Sequence, residues 1–550
     1  MSKQRLKILS ITLTFCFIII SVRLFYWQII KGYELSEKAK NQTYKLEKII
    51  PKRGQIYSSD NFPLALNKTN YQLSIYKPNL KDSLDNVIDN IDQVFPNFKL
   101  ENNISIDNLK NNPNQKWMTF NSLLSDSQKK QLELPGIEFQ KIEKRYYPEE
   151  SMAKDIIGII GKNYEGSPIG YGGLEAFYQK QLKGKTGFVW APQDATGKTV
   201  LNKKSWSSES VSGRNIFTSI NRSAQFYVEK LLKEGITQFS ADSGSVTIMD
   251  PKTGAIIAMA SLTSTSSATP SSNIRNPAIS DLFEPGSIFK PIVVSMALDA
   301  KAIDTNYICT ECDRPNVIGK YNISNWDGEL HPNSSLQDII KNSDNIGMSH
   351  IIYKLGLKNF LNYYQKLGLS QKTGIDLQGE SKPSLKSQWP DIDLATASFG
   401  QGIVVTQINM LQAFNVIAND GVLVKPKVAS YFTEDDKIIK NKNKTETQVF
   451  GKETIKNVKD ILKYSVENGV VSKFKPKDIE VCAKSGTAEI AVKGKYSDSA
   501  TIASYIGFSP CNNPKFTMIV TINNPKSSPW GSSTAAPIWY DLASKLNYLL

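Results

Sequence analysis

The apolar and polar positions of the chain change their pattern several times, and the first pattern is an uncharged apolar run. Residues 8–22 form this run, and three basic residues, Lys3, Arg5 and Lys7, precede it. Continued to residue 30, a helix here is long enough to cross a bilayer at about 1.5 Å per residue. Large aromatic side chains follow instead of a small-x-small cleavage site, so we predict an uncleaved anchor with a cytoplasmic N-terminus.

Alternating polar and apolar positions follow the predicted anchor. Residues 44–76 alternate around Pro and Gly turns, which indicates extended strands. Residues 79–150 mix amphipathic pieces with Asn-rich loops. The segment "GYGGLEAFYQKQLKGKTG" (170–187) has the pattern of a turn, a short helix and a glycine-marked stop. These patterns predict an N-terminal domain that mixes helices and strands.

The pattern of apolar and polar positions changes again near residue 212. Residues 212–236 indicate a strand and then a helix with apolar residues at helical spacing. "GSVTIMDPKTGAIIAMA" (244–260) has two β-rich runs around a Pro-x-x-Gly turn, which is a hairpin signal. We therefore predict three parts, a tail and transmembrane anchor over 1–30, an N-terminal domain over 31–220 and a second domain over 221–550.

Composition narrows the possible classes of protein. The chain has 550 residues, of which 40% are hydrophobic and 10% aromatic, as in an ordinary globular protein. Its net charge of +14 is spread out without a basic stripe interleaved with aromatics, which favours anionic lipid or wall polymer over nucleic acid as a partner. His331 and His350 are the two histidines, so a Ser-His-Asp triad or a histidine-rich metal site has almost nothing to draw on. We predict no metal and no cofactor.

Five cysteines leave the redox question open. Cys16 lies in the predicted anchor, and Cys309, Cys312, Cys482 and Cys511 follow it. The "CTEC" stretch could be a redox pair or half of a zinc site, but it has no thioredoxin-like context and no second CxxC. A local disulfide or reduced thiols fit the sequence better, and the pairing is not determined by it.

The segment "FEPGSIFKP" (283–291) carries the first candidate chemistry. It places Ser287 three positions before Lys290, ahead of an apolar helical run, so both side chains share one face of a helix. A lysine amine that desolvation or nearby cations keep neutral can act as a base for a serine nucleophile. Taken alone, however, such a segment is more often a serine-capped turn with a solvated lysine, because four-residue patterns recur by chance. Pro291 is tolerated because it falls in the first turn.

Two further segments favour the catalytic interpretation of the Ser287 segment over the serine-capped turn. "KNSDNIGMSHII" contains Ser343 and Asn345 ahead of an apolar helical run, and "VCAKSGTAEIAV" contains Lys484 in a β-rich stretch. Taken alone, the first is more often a helix cap and the second an edge strand with a surface lysine. Ser343 lies 56 residues after Ser287, and Lys484 lies 141 residues after Ser343. The joint occurrence in this order favours a single active site.

The three segments resemble the SxxK, SxN and K[ST]G motifs of the penicillin-binding protein and serine β-lactamase superfamily. More narrowly, the chain resembles class B penicillin-binding proteins, which are monofunctional peptidoglycan D,D-transpeptidases. "FEPGSIFKP" together with an SxN asparagine is similar to division-type rather than elongation-type members. Ser58 departs from the family, which usually has aspartate there. Further blocks that resemble the family are "RGQIYSSDNFPLA", "YGGLEAFYQKQLKGKTG", "VTIMDPKTGAIIAMA", "RNPAISDLFEPGSIFKP" and "SFGQGIVVTQINMLQAFNVIANDG".

The resemblance implies an α/β fold. This fold comprises a β-lactamase-like transpeptidase domain, with an antiparallel sheet flanked by helices, on an elongated α/β pedestal with one N-terminal transmembrane helix.

The resemblance also implies a catalytic role for each motif residue. Ser287 would attack the D-Ala-D-Ala peptide bond, and Lys290 would take its proton. Ser343 would relay a proton to the departing D-alanine. Asn345 would bind the donor peptide and position Lys290. Lys484 would keep the site electropositive.

The residues after Lys484 are implied to bind substrate. The hydroxyls of Ser485 and Thr487 would hold the substrate carboxylate, and Gly486 would leave room for the substrate on the strand. The backbone N–H groups of Ser287 and Thr487 would form the oxyanion hole. An amine from a neighbouring stem peptide would then complete the crosslink.

The resemblance also implies partners and a location. Peptidoglycan stem peptides would be substrates, and β-lactams would trap the nucleophile. A polytopic membrane glycosyltransferase and division proteins would be partners. The protein would be a single-pass protein of the bacterial cytoplasmic membrane, with its catalytic domain outside the cytoplasm.

Three alternatives remain, and a fourth, a bifunctional class A protein, is excluded. An elongation-type transpeptidase differs only in its role. A membrane-anchored β-lactamase needs a deacylating glutamate, and matches around Glu380 are too degenerate to identify one. A bifunctional class A protein needs a glycosyltransferase motif with a histidine, which the membrane-proximal half lacks. A non-catalytic division scaffold is disfavoured by the complete set of motif residues.

Overall fold

A computed structural model describes most of the chain at side-chain level. It covers residues 3–102, 115–164, 166–192, 205–264, 275–435, 437–440, 446–492 and 495–550. All structural statements below refer to these residues.

Helices occur throughout the described chain. The α-helices are Lys3–Phe25, Gly32–Thr43, Leu84–Val94, Phe98–Glu101, Asp126–Gln131, Lys154–Ile157, Gly173–Phe177, Gln179–Lys183, Arg222–Gln238, Pro277–Ser280, Lys290–Asp299, Leu336–Lys341, Asn345–Leu355, Leu357–Lys366, Asp391–Ala397, Gln407–Ala418, Lys452–Asn468 and Ala535–Leu549. A π-helical turn covers Tyr26–Ile30, and 3₁₀ turns cover Lys77–Asn79, Gly286–Phe289 and Ser472–Phe474.

Strands are numbered in chain order. They are β1 Tyr44–Ile49, β2 Ile56–Tyr57, β3 Pro63–Tyr76, β4 Trp117–Leu124, β5 Ile137–Tyr146, β6 Ile159–Lys162, β7 Pro168–Tyr171, β8 Gly187–Pro192, β9 Trp206–Ser208, β10 Asn215–Thr218, β11 Ser243–Met249, β12 Ile256–Thr263, β13 Ile308–Cys309, β14 Asn316–Ile318, β15 Tyr321–Ile323, β16 Ser334–Ser335, β17 Val422–Val424, β18 Ala429–Glu434, β19 Lys437–Lys440, β20 Glu446–Gln448, β21 Cys482–Val492, β22 Lys495–Ser509 and β23 Phe516–Asn523.

The first of two compact units comprises residues 1–53 and 183–213. It contains the N-terminal apolar helix and a three-stranded sheet of order β1-β8-β9. The helical segment Lys3–Ile30 has 28 residues and is long and apolar enough to cross a membrane. At its end the Arg23 guanidinium lies 5.3 Å from the centre of the Trp27 ring, as suits residues at a membrane interface. The helix is therefore consistent with the predicted anchor.

The second unit comprises residues 54–182 and 214–550 and holds two larger sheets. One has the order β19-β18-β10-β2-β3-β4, with β5 also paired to β3. Strand β10 is parallel to β2 and antiparallel to β18, so it joins early and late parts of the chain in one sheet. A boundary near residue 220 stays a prediction, because this sheet includes strands from both sides of it.

The other sheet is five-stranded and has the order β12-β11-β23-β22-β21. All of its neighbouring strands are antiparallel. It contains the hairpin predicted from the Pro-x-x-Gly turn, with Val246 of β11 opposite Ala260 of β12. The β-rich segment around Lys484 forms the edge strand β21.

Both faces of the five-stranded sheet are covered by helices. Neighbouring side chains of β22 enter different cores because side chains alternate along a strand. Tyr505 packs with the helices Arg222–Gln238 and Ala535–Leu549, whereas Ile506 belongs to the core that includes Gln407–Ala418. The predicted antiparallel sheet flanked by helices is therefore confirmed.

Four of the five cysteines form disulfides. Cys309 is joined to Cys312, and Cys482 is joined to Cys511. Cys16 is free and exposed on the N-terminal helix. The "CTEC" stretch is thus a local disulfide, one of the two states that fit the sequence better.

Ser58 is buried and closes a tight turn with its own hydroxyl group. Its Oγ accepts the N–H of Phe62 at 3.0 Å and also bonds the Asp60 side chain. The backbone N–H of Ser58 donates to the Phe62 carbonyl at 2.9 Å. The serine oxygen thus closes this turn, as the side-chain oxygen of an aspartate also can.

A buried carboxylate, Asp376, links three parts of the second unit. It accepts the backbone N–H groups of Val428 at 2.6 Å and Ala429 at 2.8 Å, and the Tyr178 hydroxyl at 2.9 Å. We expect Asp376→Ala to lower the free energy of unfolding by about 2 to 4 kcal/mol, because it removes a buried acceptor that binds two backbone N–H groups.

Thermal and chemical unfolding of the full chain in detergent measure this loss. Tyr178→Phe is the matched control, since it removes one of the three hydrogen bonds, and should cost about 1 kcal/mol. Equal losses in the two variants would contradict the assignment of the carboxylate as the linking group.

Candidate active site

Ser287 lies on a short turn that leads into a buried helix. The 3₁₀ turn Gly286–Phe289 runs directly into the helix Lys290–Asp299, and Pro291 falls in the first turn of this helix. Ser287 is half-buried, and Lys290 has no exposed surface. An apolar helix that is covered on all sides fixes the position of both residues.

The segment that contains Gly400 and Val405 forms backbone hydrogen bonds with the segment that contains Ser287. Phe283 and Val405 exchange backbone hydrogen bonds of 2.9 and 3.0 Å, and the Gly286 N–H donates to the Gly400 carbonyl at 3.1 Å. Gly400 has φ +79°, and a Cβ there would lie 2.2 Å from the Gly286 oxygen. This close approach requires glycine at position 400.

The Lys290 amine is held by the SxN segment. Its Nζ donates to the Ser343 carbonyl at 2.5 Å, to Ser343 Oγ at 3.1 Å and to Asn345 Oδ1 at 2.8 Å. The three-residue spacing of Ser287 and Lys290 on one helix face predicts that the amine can reach the Ser287 hydroxyl. In the described structure no hydrogen bond joins these two groups, and the three oxygens of Ser343 and Asn345 occupy the amine instead.

Ser343 adopts an uncommon backbone conformation. It lies between the helices Leu336–Lys341 and Asn345–Leu355, with φ +56°. The next residue, Asp344, caps the second helix by accepting the Gly347 N–H at 2.7 Å. Non-glycine residues in the left-handed region cluster at functional sites, because the surrounding structure must stabilise them. Here that conformation presents both the carbonyl and the hydroxyl of Ser343 to one amine.

The edge strand β21 brings Lys484 into the same region of the fold. Lys484 is buried, and its Nζ donates to the Ser485 carbonyl at 3.0 Å. A Cβ at Gly486 would lie 3.0 Å from the backbone N of Ile288, next to the serine turn. Glycine thus allows β21 to approach that turn, and the room for substrate that the resemblance implies at this position stays a prediction. Thr487 Oγ1 accepts a backbone N–H at 3.2 Å and keeps its own proton free to donate.

Two buried amines set the electrostatics of the site. Burial lowers the pKa of Lys484 to about 7. Burial also holds the pKa of Lys290 well below its usual range, and the charge of Lys484 lowers it further, while Asp344 and Asp327 oppose the shift. A neutral amine can accept a proton, so Lys290 is suited to be a general base. The protonated form of Lys484, which is partly populated near pH 7, helps to keep Lys290 neutral.

Comparison with known families identifies the class of protein to which the chain belongs. A family model for the penicillin binding protein transpeptidase domain matches residues 244–544, and one for the penicillin-binding protein dimerisation domain matches residues 48–218. The chain belongs to the class B penicillin-binding proteins. Its enzyme class is that of a serine peptidoglycan D,D-transpeptidase, and all three motifs lie in the matched transpeptidase range.

Curated relatives of this penicillin-binding protein are similar over nearly its full length. Peptidoglycan D,D-transpeptidase FtsI of Buchnera aphidicola is 29% identical over 540 residues, which are 95% of this chain and 91% of that relative. Stage V sporulation protein D of Bacillus subtilis is 26% identical over 98% of this chain and 84% of its own length. The match therefore spans both domains.

Solved structures share the fold. Penicillin Binding Protein 2X from Streptococcus thermophilus has a TM-score of 0.76 at 22% identity, over 92% of this chain and 80% of that one. Penicillin binding protein 3 from Mycobacterium tuberculosis, complexed with aztreonam, has a TM-score of 0.68 at 20% identity, over 91% and 96%.

Sequence reasoning missed part of the surroundings of the site. Asp344 stands in the middle of the SxN motif, where the motif accepts any residue, so its role as a buried cap carries no motif signal. Gly400 lies more than a hundred positions after the serine turn that it contacts. The "FGQG" pattern with two glycines was the available hint, since such pairs mark close backbone approach.

The low pKa of Lys484 predicts a measurable effect on stability. Its folded-state pKa is about 7 and its ordinary value 10.5, so the folded state binds fewer protons between these pH values and stability should rise with pH across them. Below pH 7 the cost of burying the charge is fully present. We expect Lys484→Met to be more stable than wild type at pH 6, by about 1 to 3 kcal/mol, with the difference closing towards pH 10.

Unfolding of both proteins at pH 6, 8 and 10 measures this difference. Lys463→Met is the control, since Lys463 is exposed and ion-paired with Glu480 and should show no such gain. A Lys484→Met protein that is less stable than wild type at pH 6 would contradict the assignment of a buried, costly charge.

Proposed function

We propose that the penicillin-binding protein crosslinks stem peptides through an ester on Ser287. Ser287 Oγ attacks the carbonyl of the penultimate D-alanine while the neutral Lys290 amine takes the hydroxyl proton. The peptide bond breaks, and the departing D-alanine nitrogen receives a proton through Ser343. An acceptor amine of a neighbouring stem peptide then attacks the ester, forms the new peptide bond and returns the proton to Ser287. The observation that supports this proposal is the buried Lys290 amine held by Ser343 and Asn345.

The remaining motif residues bind the substrate in this proposal. Asn345 hydrogen-bonds the donor peptide, and Lys484 attracts the terminal carboxylate, which the hydroxyls of Ser485 and Thr487 hold. The oxyanion hole consists of the backbone N–H groups of Ser287 and Thr487. β-Lactams imitate the donor peptide and form a stable ester at the same serine.

The structure gives no support to a β-lactamase built around Glu380. The Glu380 carboxylate accepts the N–H and hydroxyl of Thr373 at 2.6 Å each and the N–H of Gly374 at 3.0 Å. These bonds commit it to a local turn. A non-catalytic scaffold is disfavoured for another reason, because burying two amines costs stability and strongly perturbed pKa values cluster at functional sites.

We place the second unit outside the cytoplasm, with the N-terminal helix as a single-pass anchor in the bacterial cytoplasmic membrane. Lys3, Arg5 and Lys7 precede the apolar helix, which favours a cytoplasmic N-terminus. The disulfides Cys309–Cys312 and Cys482–Cys511 suit an oxidising compartment.

We propose a septal role for this transpeptidase, with a polytopic membrane glycosyltransferase and division proteins as partners. The support is the resemblance of "FEPGSIFKP", together with the asparagine of the SxN motif, to division-type members. An elongation role is the alternative.

Mass spectrometry of the penicillin adduct tests the catalytic assignment. Incubation of the full chain with benzylpenicillin should add one β-lactam mass to the peptide that contains Ser287. Ser287→Ala should abolish the adduct, and Lys290→Met should slow its formation by about 10³-fold or more, because the base is lost. Ser295→Ala is the matched control, a buried serine on the same helix whose hydroxyl bonds Pro291. An adduct that persists in Ser287→Ala would refute the nucleophile.

Cell imaging tests the septal role. A fluorescent protein fused to the N-terminus should collect at the division site, and depletion should give long cells without septa. A fusion spread evenly along the side wall, with depletion giving rounded cells, would instead support the elongation role.

A further inference from the structure

The loop 324–331 lies against the turn 343–345, which contains the SxN motif. Asn325 Oδ1 accepts the backbone N–H of Asn345 at 2.8 Å, and the Ser324 carbonyl accepts Asn345 Nδ2 at 3.1 Å. The loop therefore fixes both the backbone and the amide group of the residue that binds the Lys290 amine.

His331 ends this loop and binds the Asp344 carboxylate. Its Nδ1 lies 2.9 Å from Asp344 Oδ2, while Oδ1 accepts the Gly347 N–H. A carboxylate only accepts hydrogen bonds, so the proton is assigned to Nδ1. Asn325 Nδ2 is also 3.3 Å from Nδ1 but donates to the Glu329 carbonyl at 2.9 Å. The side chain of Asp344 is fully buried and that of His331 is 21% exposed.

The Asp344 carboxylate acts on the catalytic amine through its charge. It raises the pKa of Lys290, against the effects of burial and of Lys484. A hydrogen bond from the His331 N–H reduces the effect of the Asp344 charge on the pKa of Lys290. It also fixes the position of the carboxylate. Among the residues that the structure describes, Lys484 and Asp327 also act on Lys290 through their charge, and His350 interacts with Asp344.

We propose that His331 is a positioning residue of the transpeptidase, which holds the Asp344 carboxylate through Nδ1–H and so keeps Ser343 and Asn345 on the Lys290 amine. This inference rests on the proposed function, because it assigns His331 to the same reaction. His331 does not touch the reacting atoms. His331 acts on the reaction indirectly, through the position of the turn 343–345 and through its hydrogen bond to the negatively charged Asp344 carboxylate.

A purely structural histidine would behave differently from a positioning one. If His331 only attached the loop to the domain, its loss would lower the melting temperature without changing the acylation kinetics of the folded protein. A positioning residue changes the rate constant of acylation and its dependence on pH. Replacement by a residue that keeps the donor should then restore both.

Two variants of full-length protein in detergent separate the hydrogen bond from the volume. His331→Asn keeps an N–H donor near the Nδ1 position, and His331→Leu keeps much of the volume without a donor. We expect His331→Leu to lower the second-order acylation constant for benzylpenicillin by about 10- to 100-fold, because the motif turn shifts away from the amine. We expect His331→Asn to stay within about 3-fold of wild type, since the hydrogen bond is kept.

The pH profile gives the second readout. Acylation rises with pH as Lys290 loses its proton, and this limb should move to higher pH in His331→Leu, where Asp344 is left less balanced. It should stay in place in His331→Asn and in the control Ser295→Ala, which changes a buried serine that bonds Pro291. In an Asp344→Asn background, His331→Leu should have little further effect.

The outcomes distinguish failure of this inference from failure of the proposed function. Missing acylation of wild-type Ser287 refutes the proposed function. Normal acylation of Ser287 in wild type, together with an unchanged rate and profile in His331→Leu, overturns the positioning role alone. Equal losses in His331→Leu and His331→Asn also overturn it, because the donor would then not matter.

Discussion

The fold of the catalytic region depends on one constraint, which is that the amine of Lys290 is buried without a carboxylate in hydrogen-bond contact. Its three partners are the carbonyl and hydroxyl of Ser343 and the amide oxygen of Asn345. Neutral acceptors satisfy the donors of the amine but stabilise its charge less than a carboxylate would. Burial and the charge of Lys484 favour the uncharged amine, which is the form that can take a proton from a serine. In that form the amine has two N–H groups, which donate to the Ser343 carbonyl and Asn345 Oδ1, and the Ser343 hydroxyl donates to its lone pair.

The architecture supplies this environment from three separate places. The helix Lys290–Asp299 contributes the amine, the turn 343–345 contributes its acceptors, and the edge strand β21 contributes a second buried amine. Close contacts between these parts require residues without side chains. Gly486 lets β21 approach the serine turn, and Gly400 lets a distant loop approach the same turn. The position of the nucleophile is thus set by long-range packing rather than by its own segment.

Local sequence patterns predicted the secondary-structure elements better than they predicted the long-range tertiary contacts. The Pro-x-x-Gly hairpin, the early proline in the Lys290 helix and the edge strand of the Lys484 segment were predictable, because each depends on residues within a few positions. The pairing of β10 with both β2 and β18, the roles of Gly400 and Gly486, and the partners of the Lys290 amine were not. These contacts join residues dozens to hundreds of positions apart, and the pattern of one sequence carries no record of which distant surfaces meet.

The aspartate in the SxN motif shows why a catalytic site needs support beyond its motif residues. Asp344 caps the following helix and thereby helps to hold Ser343 in its left-handed conformation. The same carboxylate favours the charged form of Lys290, which opposes catalysis. Its hydrogen bonds from Gly347 and His331 spread its charge, so that the cap is kept while its pull on the amine is reduced. A buried acid at this position and a donor on the neighbouring loop are therefore parts of one arrangement, and a change to either should be felt at the amine.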